Sequence, residues 1–243
     1  MIVLIVSDIH ANLEAFEAVL AHAGAFDRLW FLGDAVGYGP DPNACVERLG
    51  ELKPEVWLAG NHDWAALGKL DLGNFNPEAR RAAEWTGDQL SPGAWAALDI
   101  AAPRVDLADH DVTLVHGSPG HPIWEYILDA GTANANFDAF ETAVCFFGHT
   151  HVPVAYEALP DGAYRWPYAV DEPLPLADSR WLVNPGGVGQ PRDGDPRASY
   201  ARLDLERRQV TFHRVAYAIP TVQRKILAAG LPPRLAARLD YGW

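Results

Sequence analysis

Along the first third of the chain, apolar residues come in short unbroken runs, and most runs stop at residues able to bind a metal. Ile2 to Val6 is apolar and mostly β-branched, the pattern of a strand buried on both faces. Asn12 then offers an N-cap, and Leu13, Phe16, Val19 and Leu20 recur at helical spacing until Gly24. Leu29 to Leu32 predicts a second strand, and Asp41-Pro42 starts a second helix with proline at its first position. Val56 to Ala59 predicts a third strand. This β-α-β-α-β order belongs to the α/β class, with parallel strands joined by right-handed crossovers.

The pattern then changes. Residues 64 to about 102 read as helical and carry Trp64, Trp85 and Trp95. Strands return at Val105–Leu107 and Val112–Val115, joined by a turn at Ala108-Asp109-His110-Asp111. A loop runs from Gly117 to about Asn134. Further strands are expected at Ala143–Phe147, Val152–Ala158, Trp181–Val183, Ala198–Leu205 and Gln209–Val215, and this half reads as antiparallel. A helical tail begins at about residue 219, with a break at Pro232-Pro233. No internal repeat or linker interrupts residues 1–243, so one domain is expected.

The candidate chemistry lies at the strand ends. Strand one ends in Asp8 and His10, strand two in Asp34, and strand three in Asn61 and His62. The Val112–Val115 strand ends in His116, and the Ala143–Phe147 strand in His149 and His151. In open α/β sheets the carboxyl ends of strands bind ligands. Asp, Asn and His suit Mn, Fe, Zn or Ni, and the lack of cysteine argues against a structural zinc site. Past a strand end, side chains at i and i+2 point to one side, roughly 6–7 Å apart at the backbone. That spacing lets His149 and His151 serve two metals of a close pair, ~3.5–4 Å apart in known two-metal sites. Asp8 and His10 repeat it, and Asp34 is the natural carboxylate to bridge.

Composition narrows the partners. Thirty-two acidic and 19 basic side chains give a formal net charge of -13 over 243 residues. An acidic surface argues against non-specific nucleic-acid binding, while a small phosphorylated substrate can bind where cations make the local charge positive. No stretch approaches the ~18 apolar residues of a membrane span. MIVLIVSDIH lacks the basic start of a signal peptide, so a cytoplasmic location is expected. Cys45 and Cys145 sit in apolar settings and read as buried free thiols. Sheet edges and the Trp-rich helices leave a homo-oligomer open.

Five blocks stand in order: Asp8-Ile9-His10, Gly33-Asp34, Gly60-Asn61-His62-Asp63, His116 and Gly148-His149-Thr150-His151. Together they resemble the calcineurin-like metallophosphoesterases, whose pattern is D-x-H, G-D, G-N-H-[DE], H and G-H-x-H, over roughly residues 3 to 190. The resemblance implies a four-layer αββα sandwich, two mixed sheets packed together with helices outside. It implies one metal held by Asp8, His10, Asp34 and His151, and a second held by Asp34, Asn61, His116 and His149. Asp34 would bridge, and His62 would stabilise or protonate the leaving oxygen. Manganese is the first expectation for both ions. The implied reaction is in-line attack of a metal-activated hydroxide on phosphorus, with His62 near an unperturbed pKa of about 6.5 as general acid.

The substrate is less defined. "GDAVGYGPDPN" resembles small bacterial and archaeal phosphodiesterase-like members. Ser/Thr phosphatases and symmetrical dinucleotide hydrolases carry G-D-x-V-D-R-G, where Gly37 and Tyr38 here replace the Asp and the Arg. The Asn184-Pro185-Gly186-Gly187 turn is expected against the metals, with Arg192 as a substitute phosphate grip. Asn61, His62, Arg192 and Tyr38 are the expected substrate contacts. His121, Trp124 and Tyr126 are candidates for the pocket mouth, while Trp85 and Trp95 read as packing. His22, His110 and His213 fit no motif. A phosphodiester or nucleotide-type substrate is therefore expected. The alternatives are a phosphomonoesterase or protein phosphatase, and a non-catalytic protein-binding scaffold, which the complete ligand set disfavours.

Overall fold

The computed structural model describes residues 1–176 and 178–243. The first part comprises β1 (Ile2–Val6), α1 (Leu13–Ala23), β2 (Arg28–Phe31), α2 (Pro42–Glu51), β3 (Val56–Trp57), α3 (Asn61–Ala66), α4 (Pro77–Gln89) and α5 (Pro92–Asp99). Then follow β4 (Arg104–Leu107), β5 (Val112–Val115), α6 (Ala130–Asn136), β6 (Val144–Phe146), β7 (Val154–Leu159) and β8 (Gly162–Trp166). The last part is β9 (Pro173–Pro175), β10 (Trp181–Asn184), β11 (Ala198–Asp204), β12 (Gln209–Val215), α7 (Ile219–Ala228) and α8 (Pro233–Ala237).

Two mixed six-stranded sheets form, in the orders β3-β2-β1-β11-β12-β9 and β4-β5-β6-β10-β7-β8. The apolar run of β1 explains its central place. Leu4 and Val6 face Phe16 and Val19 of α1, while Val3 and Ile5 face the second sheet. Between the sheets Trp30, Leu114, Phe146, Trp181 and Phe212 fill one core. On the far face of the second sheet, Cys145, Tyr156 and Leu182 pack against Ala133 of α6 and the adjoining Phe137. The layers thus run helix, sheet, sheet, helix. Burying a large apolar side chain here stabilises by ~1.5–3 kcal/mol. Among the described residues no helix is long and apolar enough to cross a membrane.

Several local expectations change. The second half is mixed rather than antiparallel, because β5, β6 and β10 run parallel. Residues 116–143 are long enough for a crossover and hold α6, which begins inside the expected loop. β8 and β9 lie beyond the expected set; β9 carries Pro173 and Pro175, which a sheet tolerates only at its edge. α3 starts at Asn61, so Asn61 and His62 occupy the first helical turn. β3 stops at Trp57, and Leu58 continues only as a bridge to Ala102.

The tail breaks at Pro232-Pro233 as expected and lies on α4, with Val222, Ile226, Leu235 and Leu239 against Ala79 and Ala82. Lys225 ties α7 to the body through Glu14 and Asp41.

Candidate metal centre

The ligand-type residues occupy loops just past strand ends, and their backbone is unusual. Asp8, His10, Asp34, His149 and His151 all have positive φ, between 49° and 64°. The i, i+2 pairs therefore converge through left-handed residues and not through a relaxing pleat. Non-glycine residues in this region cost ~1–3 kcal/mol each, held only where surrounding contacts over-determine them. Here the loops interlock. Asp8 N donates to Gly33 O at 3.0 Å, His10 N to Asp34 O at 3.0 Å, and His149 N to Asp8 Oδ2 at 3.1 Å.

Two buried clusters result: Asp8, His10 and His151, and Asp34, His116 and His149. Asp34 Oδ2 lies between them, 3.6 Å from His10 Nε2 and 3.3 Å from His116 Nε2. The imidazole protons point away from the centre. Nδ1 of His10 faces Val36 O at 3.0 Å, that of His151 faces Gln190 O at 2.5 Å, and that of His116 faces Leu32 O at 2.9 Å. Carbonyls only accept, so in the neutral ring each Nδ1 carries the proton and each Nε2 presents a lone pair. His149 is reversed: its Nε2 faces Trp124 O at 3.3 Å, which frees Nδ1.

Lone pairs then confront one another. His10 Nε2 lies 3.1 Å from His151 Nε2, and His116 Nε2 lies 3.1 Å from Asn61 Oδ1. Asp8 Oδ1 and Asp34 Oδ2 are buried without a hydrogen-bond donor. In the metal-free protein the adjacent Asp34 carboxylate pushes His116 up to about 9 against the effect of burial, so its Nε2 there holds a proton that a bound cation would displace. Acceptors gathered around a buried centre fit divalent cations, and the nitrogen and oxygen donors suit the metals named above.

Residues 1–208 match the calcineurin-like phosphoesterase superfamily domain. The chain belongs to this superfamily. A metallophosphoesterase structure from Sphaerobacter thermophilus is 48% identical, with a TM-score of 0.90 over 100% of this chain and 99% of that one. An uncharacterised protein of Methanocaldococcus jannaschii is 35% identical over 99% of this chain and 98% of its own. A symmetrical bis(5'-nucleosyl)-tetraphosphatase of Acidovorax sp. is 32% identical over 57% of this chain and 52% of its own. Superfamily membership carries with it metal dependence and phosphoric ester hydrolysis.

Within this calcineurin-like frame, Asp63 turns away from His62. Its carboxylate accepts from Asp34 N and Gly60 N, each at 2.9 Å, and from Val36 N at 3.1 Å. Burial first, then the nearby Asp34, raises its pKa to about 7. The orienting of His62 is steric instead. Its ring lies 4.2 Å from Tyr38 and 5.2 Å from Phe75, measured between ring centroids, and its Nδ1 is buried without a partner. Gly37 packs so closely that a Cβ there would stand 2.8 Å from His62 Nδ1, which leaves no room for the aspartate of the phosphatase pattern. Burial lowers the His62 pKa to about 4, partly offset by Asp34. In the metal-free protein His62 is thus neutral at pH 7, not poised near 6.5.

The Arg192 guanidinium is 5.6 Å from the Tyr38 ring and beside the Tyr126 phenol. Tyr126 stacks on His149 at 3.9 Å, and Trp124 meets Phe75 at 5.2 Å. His121 stands farther out, in an open hollow with Trp64 and Trp124. The Asn184 turn does lie on the site, since Asn184 Nδ2 donates to Gly148 O at 2.6 Å. Trp85 packs against the tail cluster, and Trp95 on α5 is 44% exposed. The remaining histidines have local partners, His22 with Tyr200, His213 with Asp171 and His110 against Trp30. Phe75 gave no advance signal, since it follows no ligand strand and sits in a polar segment.

Proposed function

We propose that the protein is a dinuclear metal-dependent phosphodiesterase acting on a small phosphodiester or nucleotide-type substrate. The observation that carries this is the position of Asp34 Oδ2 between two buried three-residue clusters. Asp8, His10, Asp34 and His151 would hold one ion, and Asp34, Asn61, His116 and His149 the other. Bound there, divalent ions activate water at neutral pH and neutralise charge on the phosphoryl oxygens. The protein supplies the rest. Asp34 is fixed at Oδ1 by the His62 N–H, 2.8 Å away. His62, neutral and rigidly packed, donates a hydrogen bond to the leaving oxygen, and a proton when the local charge favours it. Arg192 offers a planar fork to a non-bridging oxygen.

The preference for a diester rests on the walls. Tyr38, Phe75, Trp124 and Tyr126 surround the histidines, and aromatic walls suit a second ester group better than a second negative charge. The likeness to a bis(5'-nucleosyl)-tetraphosphatase points the same way, to nucleotide chemistry. The test is hydrolysis of bis-p-nitrophenyl phosphate against p-nitrophenyl phosphate by metal-stripped protein titrated with Mn²⁺. A Mn²⁺-dependent preference for the diester is expected. Metal binding with no turnover of either ester, or a preference for the monoester, overturns the reading.

A further inference from the structure

A cleft of about 430 Å³ opens beside the metal centre, between the tail and the start of α4. Tyr38 is the shared wall. Its ring lies 4.8 Å from His10 and 4.2 Å from His62, and it also lines the cleft. The other walls include Glu78, Arg234, Arg238, Tyr241 and Trp243.

Guanidinium groups are prominent in the walls of this cleft. Two guanidiniums, Arg234 and Arg238, line the cleft with one carboxylate side chain, that of Glu78. Glu78 is already engaged with Arg234 at 3.6 Å. Arg238 Nε donates to the main-chain oxygen of Trp243, the last residue, and among the described residues neither Nη of its guanidinium has a hydrogen-bond partner. Burial first, then the neighbouring Arg192, pushes Arg238 down to about 10. The Nη groups of Arg238 offer an anion a planar pair of donors.

The aromatic residues complete the site. Tyr241 and Trp243 are 57% and 64% exposed, yet their rings are stacked at 5.0 Å. The tail is tied to the loop that carries Arg192, since Gly194 N donates to Gly242 O at 3.0 Å. The hollow on the opposite flank, by Trp64 and Trp124, also has aromatic walls, but its charged lining residue is the acid Glu125. An anionic ligand is better served by the tail cleft.

We propose that the tail cleft is a substrate subsite for a nucleoside monophosphate group, with the base against Tyr241 and Trp243 and a phosphate on Arg238. This rests on the phosphodiesterase reading and deepens it: the substrate is a nucleotide diester or anhydride whose non-reacting end lies in the cleft. Aromatic walls take any base face, and the guanidinium fork takes the phosphate.

The test has two arms. In the first, 5'-AMP, adenosine and inorganic phosphate are titrated calorimetrically into the metal-free full chain. AMP is expected to bind more tightly than either fragment. Arg238→Ala should weaken it roughly tenfold to a hundredfold, as for a lost charge-assisted bond. Trp243→Ala should weaken it by about fivefold or more, the worth of one stacking contact. Arg238→Lys should recover part of the loss, and melting curves of each variant check that the tail stays folded. In the second arm, kcat/KM for thymidine 5'-p-nitrophenyl phosphate is divided by that for bis-p-nitrophenyl phosphate with Mn²⁺ present. The ratio should fall about tenfold in Arg238→Ala. AMP affinity indifferent to both alanine variants, or no AMP binding, overturns the subsite. If AMP binding depends on Arg238 and Trp243 while neither diester is hydrolysed, the phosphodiesterase reading fails and the nucleotide site stands.

Discussion

Replacing Gly60 by alanine adds one methyl group beside the central carboxylate. The backbone there, at φ -105° and ψ 179°, is extended and suits alanine, so any effect is steric. The new Cβ would stand 2.0 Å from Asp34 Oδ1 and 2.6 Å from Asp34 N. Oδ1 must retreat by about 1 Å to reach the 3.0 Å of a tight contact. It cannot do so freely, because Oδ1 accepts from His62 N at 2.8 Å and Asp34 N donates to Asp63 at 2.9 Å. Overpacking of this kind costs ~1–3 kcal/mol. The carboxylate between the clusters swings away, and a 1 Å misplacement costs on the order of 100-fold in rate. Gly60→Ala should therefore bind Mn²⁺ more weakly by calorimetry, lose the Mn²⁺-dependent rise in melting temperature, and lose about two orders of magnitude in kcat/KM. Gly50→Ala is the control: it lies within α2, its Cβ meets only Trp57 at 4.0 Å, and it should stabilise by ~0.5–1 kcal/mol. Wild-type metal affinity and turnover in Gly60→Ala would refute the assignment of Asp34.

Three further outcomes follow from the same geometry. Asp63→Ala orphans the buried N–H groups of Asp34, Val36 and Gly60, so chemical denaturation should report a loss of ~1–3 kcal/mol or more, with weaker Mn²⁺ binding; an unchanged midpoint would count against the interlock. Arg192→Ala should lower kcat/KM for the diester roughly tenfold to a hundredfold, and Arg192→Lys should recover only part because the planar fork is lost; equal rates in all three proteins would remove Arg192 from the site. Cys45 and Cys145 are buried, and burial raises both thiol pKa values, so neither should react with a thiol reagent at pH 8 until the protein unfolds; rapid native labelling would contradict their packing.

The candidate ligand set was legible because its residue types recur at strand ends, where the sheet itself brings them to one edge. Asp8, Asp34, His116 and His149 needed no long-range information beyond the strand pattern. The means of convergence was not legible. Positive φ at Asp8, His10 and His151 leaves no mark in residue type, since nothing but the interlocked loops enforces it. Asp63 was ambiguous for a similar reason, as its partners are backbone N–H groups that every residue except proline carries. β9, with its two prolines, contradicts strand propensity and exists only because β12 offers an edge. The tail cleft joins residues near 38, 78 and 238, and local periodicity does not report which helix a tail will lie on.

The place of β1 bears on how the chain is made. β1 pairs with β2 on one side, but on the other its partner is β11, with Ile2 opposite Asp204. Every candidate ligand of the proposed metal centre, from Asp8 to His151, therefore leaves the ribosome before the strand that completes the pairing of β1. At ordinary synthesis rates the apolar edge of Ile2–Val6 waits on the order of ten to forty seconds for its partner. An unpaired edge of this kind is a template for association with other chains. A fragment ending before Ala198 would carry the complete set of candidate ligands and still lack the strand that pairs with β1. Assembly of the centre is thus a late event in the life of the nascent chain, timed by its last two strands.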